Sequence, residues 1–198
     1  MTGTTMPRTP AREKLLDAAG RLILGSGWQR LRVSHVAVEA GVSRQSAYNE
    51  FGSKEALGEA LVMREFERHL DGLTEQLLDR REDVGLAVEE AVLYTFRSAS
   101  ANPVLKAVLT SARTGLVMGE LAEVVRNREV PPLPQAITAV TALVARHRPD
   151  LDPFSVRLAI DMVLRVTVSY LVTPEGSHED AAARIALMAT RVLGLPVR

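Results

Sequence analysis

Hydrophobic residues recur at intervals of three and four along most of the chain, and no segment shows the sustained alternation typical of a half-buried strand. In the first periodic segment, which begins at Pro10, one face collects five apolar residues before a Gly-Ser-Gly break at 25–27. These residues are Leu15, Ala18, Ala19, Leu22 and Ile23. Such a stripe is typical of a helix that packs one face on a core. The pattern therefore predicts an all-α fold whose first helix ends near Gly25.

Three more helices are predicted close behind the first. A short second helix covers 33–40, and Gly41 after it can adopt the positive φ of a tight turn. Ser43 is placed to cap a third helix over 44–50. Gly52 and Ser53 then break the chain, and a fourth helix extends from Lys54 to about residue 80. A longer helix is followed by two short helices that a glycine turn joins, and this arrangement predicts a helix-turn-helix. A plain helical hairpin is the alternative.

Prolines and glycines divide the rest of the chain into further helical segments. The periodic pattern predicts these over 84–101, 103–114, 116–128, 135–148, 153–173 and 178–194. The breaks and the change in helix length suggest a flexible tail over 1–9 and a helix-turn-helix domain over 10–55. A larger helical domain follows over 56–198.

The amino-acid composition mainly excludes certain classes of site and of protein. The 198 residues are 46% hydrophobic and 24% charged and include no cysteine, so disulfides and thiolate zinc sites are excluded. The four histidines have no metal-ligand spacing, and no catalytic constellation or glycine-rich phosphate loop occurs. We therefore expect no metal, no cofactor and no enzymatic activity. Without a membrane-spanning run or a signal peptide, the protein is expected to be cytoplasmic with no membrane partner.

The charge is unevenly distributed, although the chain is neutral overall. Residues 1–32 hold six basic and two acidic residues, a net charge of +4, so the remaining residues sum to −4. A basic end on an acidic body suits a domain that binds a polyanion such as DNA.

The third predicted helix carries an unusual set of polar residues for a solvated face. Its outer positions hold hydrogen-bonding side chains rather than a mixture of Glu and Lys: Ser43, Arg44, Gln45, Ser46, Tyr48 and Asn49. Side chains of these types contact base edges and phosphates. Lys54, at the start of the fourth helix, combines its charge with free backbone amides that favour a phosphate.

Residues 12–58 resemble the DNA-binding domain of the TetR (TetR/AcrR) family of transcriptional regulators. The matching signature is Val36, Ala37, Ala40, Gly41, Val42, Ser43, Tyr48, Phe51, Lys54 and Glu55. The resemblance implies about nine helices, with a C-terminal domain for ligand binding and dimerisation. It also implies a homodimeric repressor, released from a palindromic operator in double-stranded DNA by a small apolar ligand. There are two alternatives. One is a ligand-independent regulator or activator of the same family, and the other is a helical protein-interaction domain.

The residues expected to contact DNA are chosen from this resemblance and from the chemistry of their side chains. They are Arg32, Ser34, Ser43, Arg44, Gln45, Ser46, Tyr48, Asn49 and Lys54. Arg32 stands where the family commonly has a capping Thr, and Gln45 can bind adenine through two hydrogen bonds. Glu50 takes a place where a phosphate contact is usual. Because a carboxylate repels phosphate, we expect Glu50 to pair with a nearby Arg or to accept from a cytosine amine.

The C-terminal segment supplies candidates for a ligand pocket, in the region where the family binds its ligands. The expected pocket residues are Phe66, Leu93, Phe96, Leu109, Leu116, Met118, Ile137, Val140, Leu143 and Met162. Two stretches, NEFGSKEAL and LRVTVSYLVTP, resemble a subset of actinobacterial family members that sense fatty-acyl or alkane-like molecules. A small apolar effector of that kind is therefore expected.

The last two predicted helices carry small and apolar residues on more than one face, so one face can pack inward and another against a second copy. By the resemblance they form a four-helix bundle across a two-fold axis. The expected dimer interface is Val163, Val166, Tyr170, Ile185, Met188 and Val192. Burial of both faces within one chain is the alternative.

Overall fold

The computed structural model describes residues 10–80, 82–114 and 132–196, and within these ranges it contains nine helices and no strand. Their bounds are α1 Pro10–Ser26, α2 Val33–Glu39, α3 Arg44–Phe51, α4 Lys54–Asp79, α5 Val84–Ala101, α6 Pro103–Thr114, α7 Pro132–His147, α8 Pro153–Val172 and α9 His178–Val192. The all-α prediction is confirmed. The predicted tail over 1–9 and the predicted helix over 116–128 lie outside the described residues.

Most of the helix starts follow from capping side chains in the sequence. Ser43, Ser53, Asp83, Asp152 and Ser177 each precede a helix and accept a hydrogen bond from the backbone N–H three residues later. Each such cap stabilises its helix by about 1 kcal/mol. Helix α7 begins at Pro132, three residues before the predicted start. Proline is tolerated in the first turn of a helix because its missing N–H has no intrahelical partner there.

The first hydrophobic core holds the three N-terminal helices together. It includes Leu15, Leu16, Ala18, Ala19, Trp28, Leu31, Val33, Val36, Ala37, Ala47 and Phe51. The same cluster continues through Leu57, Leu61, Val62 and Phe66 of α4 to Val104 and Val108 of α6 and Ala136 of α7. Helix α4 therefore belongs to the N-terminal core at one end and to the C-terminal body at the other.

A second core lies between α5, α8 and α9. Its buried members are Val92, Phe96, Ala99, Leu171, Ala181, Ala182 and Ile185. Phe96 is central to it, because its ring meets Tyr170 edge-on and stacks on His178. None of the described helices is long and apolar enough to cross a lipid bilayer.

Candidate nucleic-acid interface and interior cavities

Helices α2 and α3 form a tight pair around the turn at Gly41. Gly41 has φ of 64°, a conformation that side-chain-bearing residues rarely adopt. The turn is closed by hydrogen bonds from Gly41 N to Val38 O (3.1 Å) and from Val42 N to Ala37 O (2.9 Å). Below it, Val36, Ala37 and Ala47 are completely buried. The orientation of α3 is therefore fixed by the core of the domain.

The outer face of α3 presents polar side chains to solvent. Arg44, Gln45 and Asn49 are exposed, and Tyr48 is 50% exposed despite its aromatic ring. Ser43 and Ser46 are exposed too, but they bond to each other. Ser43 Oγ accepts from Ser46 N at 3.0 Å and lies 2.8 Å from Ser46 Oγ. Two of the predicted DNA-binding serines thus serve the N-cap of α3, whereas the other four side chains face outward.

Lys54 lies beside the loop that joins α1 to α2. Its Nζ atom is 4.6 Å from the centroid of the Trp28 ring and 3.4 Å from the backbone oxygen of Gln29. These contacts hold the ammonium group at the start of α4, where the Ser53 hydroxyl also accepts from Ala56 N.

Arg32 and Ser34 lie at the start of α2. Arg32 is exposed and its side chain makes no capping hydrogen bond, as expected for a residue that replaces a capping hydroxyl. Ser34 is half-buried. The predicted interface residues therefore lie on α3 and at the starts of α2 and α4.

Glu50 pairs with an arginine, which confirms the first of the two roles expected for it. Arg12 Nη1 donates to Glu50 Oε1 at 3.0 Å, and the same guanidinium lies 4.9 Å from the centre of the Phe51 ring. The pair connects α1 to the end of α3. It neutralises the carboxylate that would otherwise repel a phosphate.

A buried arginine that the sequence pattern did not predict joins the N-terminal domain to the body. Arg64 on α4 is only 6% exposed and donates to Asp17 Oδ1 at 2.7 Å and to Glu65 Oε1 at 2.7 Å. Glu65 Oε2 in turn accepts from Asn102 Nδ2 at 2.6 Å, and Asn102 Oδ1 accepts from Leu105 N at 3.1 Å, capping α6. We call Asp17, Arg64, Glu65 and Asn102 the Arg64 cluster. Position 64 follows Leu57 and Leu61 at helical spacing, which is the signal that could have indicated its burial.

The C-terminal body contains an apolar cavity of about 130 Å³. Its walls come from the second half of α4 and from α5, α7, α8 and the end of α9, with Leu73, Val88 and Ile160 among them. Two predicted pocket residues, Val140 and Leu143, line this cavity. His147 and Arg148 lie at its edge, where His147 is exposed and Arg148 pairs with Asp150 at 2.7 Å. We call this space the large cavity.

A second cavity of about 40 Å³ lies nearer to the N-terminal domain, between α4, α5, α6, α7 and α8. It is lined by Phe66, His69, Leu70, Leu73, Thr95, Val108, Leu109, Ala136, Leu164, Thr167 and Val168. Phe66 and Leu109 were predicted as pocket residues, whereas His69 and Thr167 were not. Burial lowers the pKa of His69 to about 4, so its ring is neutral at pH 7. We call this space the small cavity.

Four predicted pocket residues line neither cavity. Phe96, at 1% exposure, is part of the second core, and Leu93 packs against that core. The residues of α5 that line the large cavity are Val84, Ala87, Val88, Ala91 and Val92. Ile137 and Met162 are half-buried and border neither space. Leu116 and Met118 lie outside the described residues.

The predicted dimer residues also separate into two groups. Ile185 is 1% exposed within a single chain and is not available to a partner, whereas Val163 is half-buried and lines the large cavity. Ile185 is buried because α9 packs extensively on α5. Val166 and Tyr170 are half-buried against the second core, Val192 is half-buried, and Met188 is exposed.

Five large apolar residues are left exposed on the last two helices, and of these only Met188 was predicted for the interface. Phe154 is 74% exposed, and it is accompanied by Leu158 and Val172 on α8 and by Leu187 and Met188 on α9. Large apolar side chains on neighbouring helices are typical of a protein interface. We call these five residues the exposed α8–α9 face.

Comparison with known proteins finds two family profiles that together span most of the chain. Residues 15–61 match the profile described as bacterial regulatory proteins, tetR family. Residues 83–191, more than half of the chain, match the one described as bacterial tetracyclin repressor, C-terminal domain. The two matches lie on the N-terminal helices and on the helical body, respectively.

Two curated relatives are both transcriptional regulators of Mycobacterium tuberculosis. The HTH-type transcriptional regulator AlkX is 28% identical over 184 residues, covering 92% of this chain and 85% of AlkX. An uncharacterised HTH-type transcriptional regulator is 30% identical over 179 residues, covering 89% of this chain and 82% of that protein.

Solved structures show the same fold. The TetR family repressor AlkX from Dietzia sp., described as implicated in biodegradation of n-alkanes, superposes with a TM-score of 0.70 at 22% identity, covering 95% of this chain and 98% of that one. The fatty acid degradation regulator FadR from Bacillus halodurans superposes with a TM-score of 0.62 at 20% identity, covering 97% and 100%.

Proposed function

The chain belongs to the TetR family of bacterial transcriptional regulators, and on that premise we propose that it is a homodimeric repressor released from a palindromic operator by a small apolar ligand. The matched families and relatives are regulators of transcription rather than enzymes. The observation that carries the proposal is the outer face of α3, where four polar side chains point away from a helix fixed by its core. A protein that binds the chromosome in this way acts in the cytoplasm.

On DNA, the side chains divide by chemistry into those that select bases and those that hold the backbone. Gln45 can pair with adenine N6 and N7, and Arg44 can pair with guanine or with a phosphate. Tyr48, Arg32 and Lys54 hold the phosphate backbone, which sets register without selecting sequence. Asn49 and Ser34 add hydrogen bonds at the edge of this surface. Ser43 and Ser46 contribute mainly by capping α3.

The dimer we propose uses the exposed α8–α9 face. A two-fold symmetric dimer places the same patch of both copies in contact, so an apolar strip on two adjacent helices can bury itself against its own copy. Such a dimer presents two copies of α3 to two half-sites of a palindrome. For both to enter the major groove on one side of B-DNA, they must lie about 34–36 Å apart or a multiple of it.

The ligand we propose binds in the large cavity, and its apolar character follows from the walls. Leucine, valine, isoleucine and alanine side chains supply nearly all of the lining, and among the described residues the one lining side chain that is a fixed cation, Arg148, is paired with Asp150. An alkane-like or fatty-acyl molecule matches this surface. The likeness to regulators named for alkane and fatty acid degradation supports the same class.

Helix α4 connects the ligand to the DNA. Lys54 begins it at the proposed phosphate contact, and Leu73 and Leu77 near its other end line the large cavity. Between them the Arg64 cluster links α4 to α1 and to the start of α6. A ligand that moves the second half of α4 or α6 therefore changes the spacing of the two α3 helices.

The test measures operator affinity with and without ligand. Duplexes selected from a random pool by binding to the protein define the operator, and fluorescence anisotropy at fixed salt gives its affinity. Among n-alkanes, fatty acids and acyl-CoAs, the effector should weaken operator binding about 5–150-fold, and the operator should weaken effector binding by the same factor. Ligands that stabilise the protein against heat but leave operator affinity unchanged would overturn release by this route.

A further inference from the structure

Trp28, in the loop that joins α1 to α2, packs its ring on the start of α4. The side chain is only 6% exposed. The Nζ atom of Lys54 lies over the ring, 4.6 Å from its centroid. An ammonium group within about 6 Å of a ring centroid is attracted to the face of the ring, and among aromatic side chains tryptophan attracts it most strongly. The ring therefore attracts and orients the charge of Lys54.

Gly58 allows the ring to approach α4 closely. Residues 54 and 58 are four apart in the helix, so they lie on the same face. A Cβ atom at position 58 would overlap Cη2 of the Trp28 ring and lie 2.8 Å from its Cζ3. Glycine is less favourable than alanine in the interior of a helix, but here the missing side chain leaves the space that the ring occupies. A larger residue at position 58 would push the ring away from this face.

The backbone of the same loop makes a second contact with the ammonium group. Lys54 Nζ donates to the backbone oxygen of Gln29 at 3.4 Å. The loop is itself closed by a hydrogen bond from Leu31 N to Trp28 O at 3.0 Å. Because an ammonium group has three donors, the bond to Gln29 leaves capacity for a phosphate oxygen. Lys54 is half-buried, so a phosphate can still reach it.

These contacts matter because a lysine side chain is flexible. Its four-carbon stem has many rotamers in water, and fixing one of them costs conformational entropy. A side chain that is already ordered in the free protein loses less of this freedom when it binds. Contacts that order Lys54 before DNA binds should therefore strengthen its bond to a phosphate.

We propose that Trp28 is a positioning residue for DNA binding, whose ring, packed against Gly58, holds the ammonium group of Lys54 in place for a backbone phosphate. This inference rests on the proposed function, in which the start of α4 contacts the DNA backbone. Trp28 acts through Lys54 rather than by touching DNA, because its own ring is buried in the core of the N-terminal domain.

The experiment is a double-mutant cycle of Trp28 and Lys54, measured by fluorescence anisotropy of a labelled operator duplex at fixed salt. Trp28→Leu removes the ring and should weaken binding about fivefold, whereas Trp28→Phe keeps a ring and should weaken it less. Lys54→Met removes the charge but keeps an unbranched side chain on the ring. In the Lys54→Met background, either Trp28 substitution should change the affinity by less than about twofold, because the group through which it acts is missing.

Two further variants separate positioning from damage to the loop. Gly58→Ala keeps both side chains but displaces the ring, so its effect on binding should also disappear in the Lys54→Met background. Leu31→Val is the matched control, since Leu31 is 3% exposed in the same loop but carries no ring. Any loss that it causes should be the same in the wild-type and Lys54→Met backgrounds. Thermal unfolding establishes that each variant is folded at the temperature of the assay.

Tryptophan emission tests the contact in the absence of DNA. Trp28 is the one tryptophan of the sequence, so the spectrum reports on this ring alone. Lys54→Met removes the charge from the ring face and should change the emission spectrum. Lys14→Met, which removes an exposed lysine of α1, should leave the spectrum as it is. Identical spectra for the wild type and Lys54→Met would overturn the inference.

The outcomes separate this inference from the proposed function. Suppose that the Trp28 substitutions weaken binding equally in both backgrounds, or that Lys54→Met binds the operator as tightly as the wild type. Either result would overturn the positioning role and leave the proposed repressor function intact. A wild-type chain that selects and binds no duplex would contradict both.

Discussion

The N-terminal domain and the body behind it are packed in different ways. Helices α1 to α3 share a continuous hydrophobic core, and neither interior cavity borders any of them. Arg12 and Glu50 join the first of these helices to the third. The body, by contrast, contains the large and the small cavity.

This difference agrees with different tasks for the two regions. Side chains around an apolar cavity lack the contacts that close packing would give, so the large cavity of about 130 Å³ lowers stability when it is empty. A surface that must match the fixed geometry of B-DNA gains from rigid packing. A body that must admit a small molecule gains from empty volume, which the ligand then fills.

The largest expected effect is at the Arg64 cluster, where the two regions meet. Arg64→Met removes the buried cation that pairs with Asp17 and Glu65, although Glu65 keeps its hydrogen bond from Asn102, and should reduce the free energy of unfolding by about 3 kcal/mol. Arg68→Met is the matched control, since Arg68 belongs to the same group of charges but is about half exposed; its removal should cost less than about 1 kcal/mol. Urea unfolding at fixed protein concentration measures both. Equal losses would mean that the buried cluster does not stabilise the junction.

Acid should destabilise the body through His69. Its pKa is about 4 in the folded protein and about 6.5 in the unfolded chain, so below pH 6.5 the unfolded chain binds the extra proton. The contribution of His69 to stability is therefore complete above pH 6.5 and falls as the pH drops, by about 3 kcal/mol in total at pH 4.

Carboxylates also titrate in this range, so the measurement needs a variant. Unfolding by urea should be followed from pH 7 to pH 4 for the wild type and for His69→Gln. The wild type should lose more stability than the variant over this interval. Parallel pH profiles would show that the ring is not held neutral by burial.

The same substitution should act in opposite directions in the two regions. Ala47→Leu enlarges a fully buried residue of the N-terminal core and should destabilise the protein by about 2 kcal/mol through overpacking. Ala159→Leu projects into the large cavity and should leave stability unchanged or raise it. Thermal unfolding of both variants tests this. The comparison fails if Ala159→Leu is as damaging as Ala47→Leu.

The smallest expected effects are at the DNA surface. Gln45→Ala should cost about 1–2 kcal/mol of operator binding and relax the preference at one base position, because Gln45 is proposed to select adenine. Lys54→Ala should weaken binding to all sequences alike and reduce its salt dependence. Anisotropy with the selected operator and with single-base variants separates these results. A uniform loss for Gln45→Ala would assign it to the backbone.

Much of the fold could be predicted from the sequence because its signals are local. Apolar spacing identified the helices, Ser43 marked the start of α3, and Gly41 marked the turn. The polar face of α3 was equally visible, since Ala47 and Phe51 point inward and fix which side chains point outward. Each of these inferences uses residues that are at most a few positions apart.

Only the tertiary structure decided which partner each helix face meets. Ile185 has the spacing of an interface, but it is buried in the second core against α5. Arg64 and His69 are hydrophilic residues on an apolar stripe, and their burial depends on partners from distant parts of the chain, such as Asp17 and Thr95. Helix propensity and capping act over one or two turns, whereas burial depends on contacts between residues far apart in the chain. The sequence therefore determined the helices and the outward face of α3, and packing determined the cavities, the Arg64 cluster and the exposed α8–α9 face.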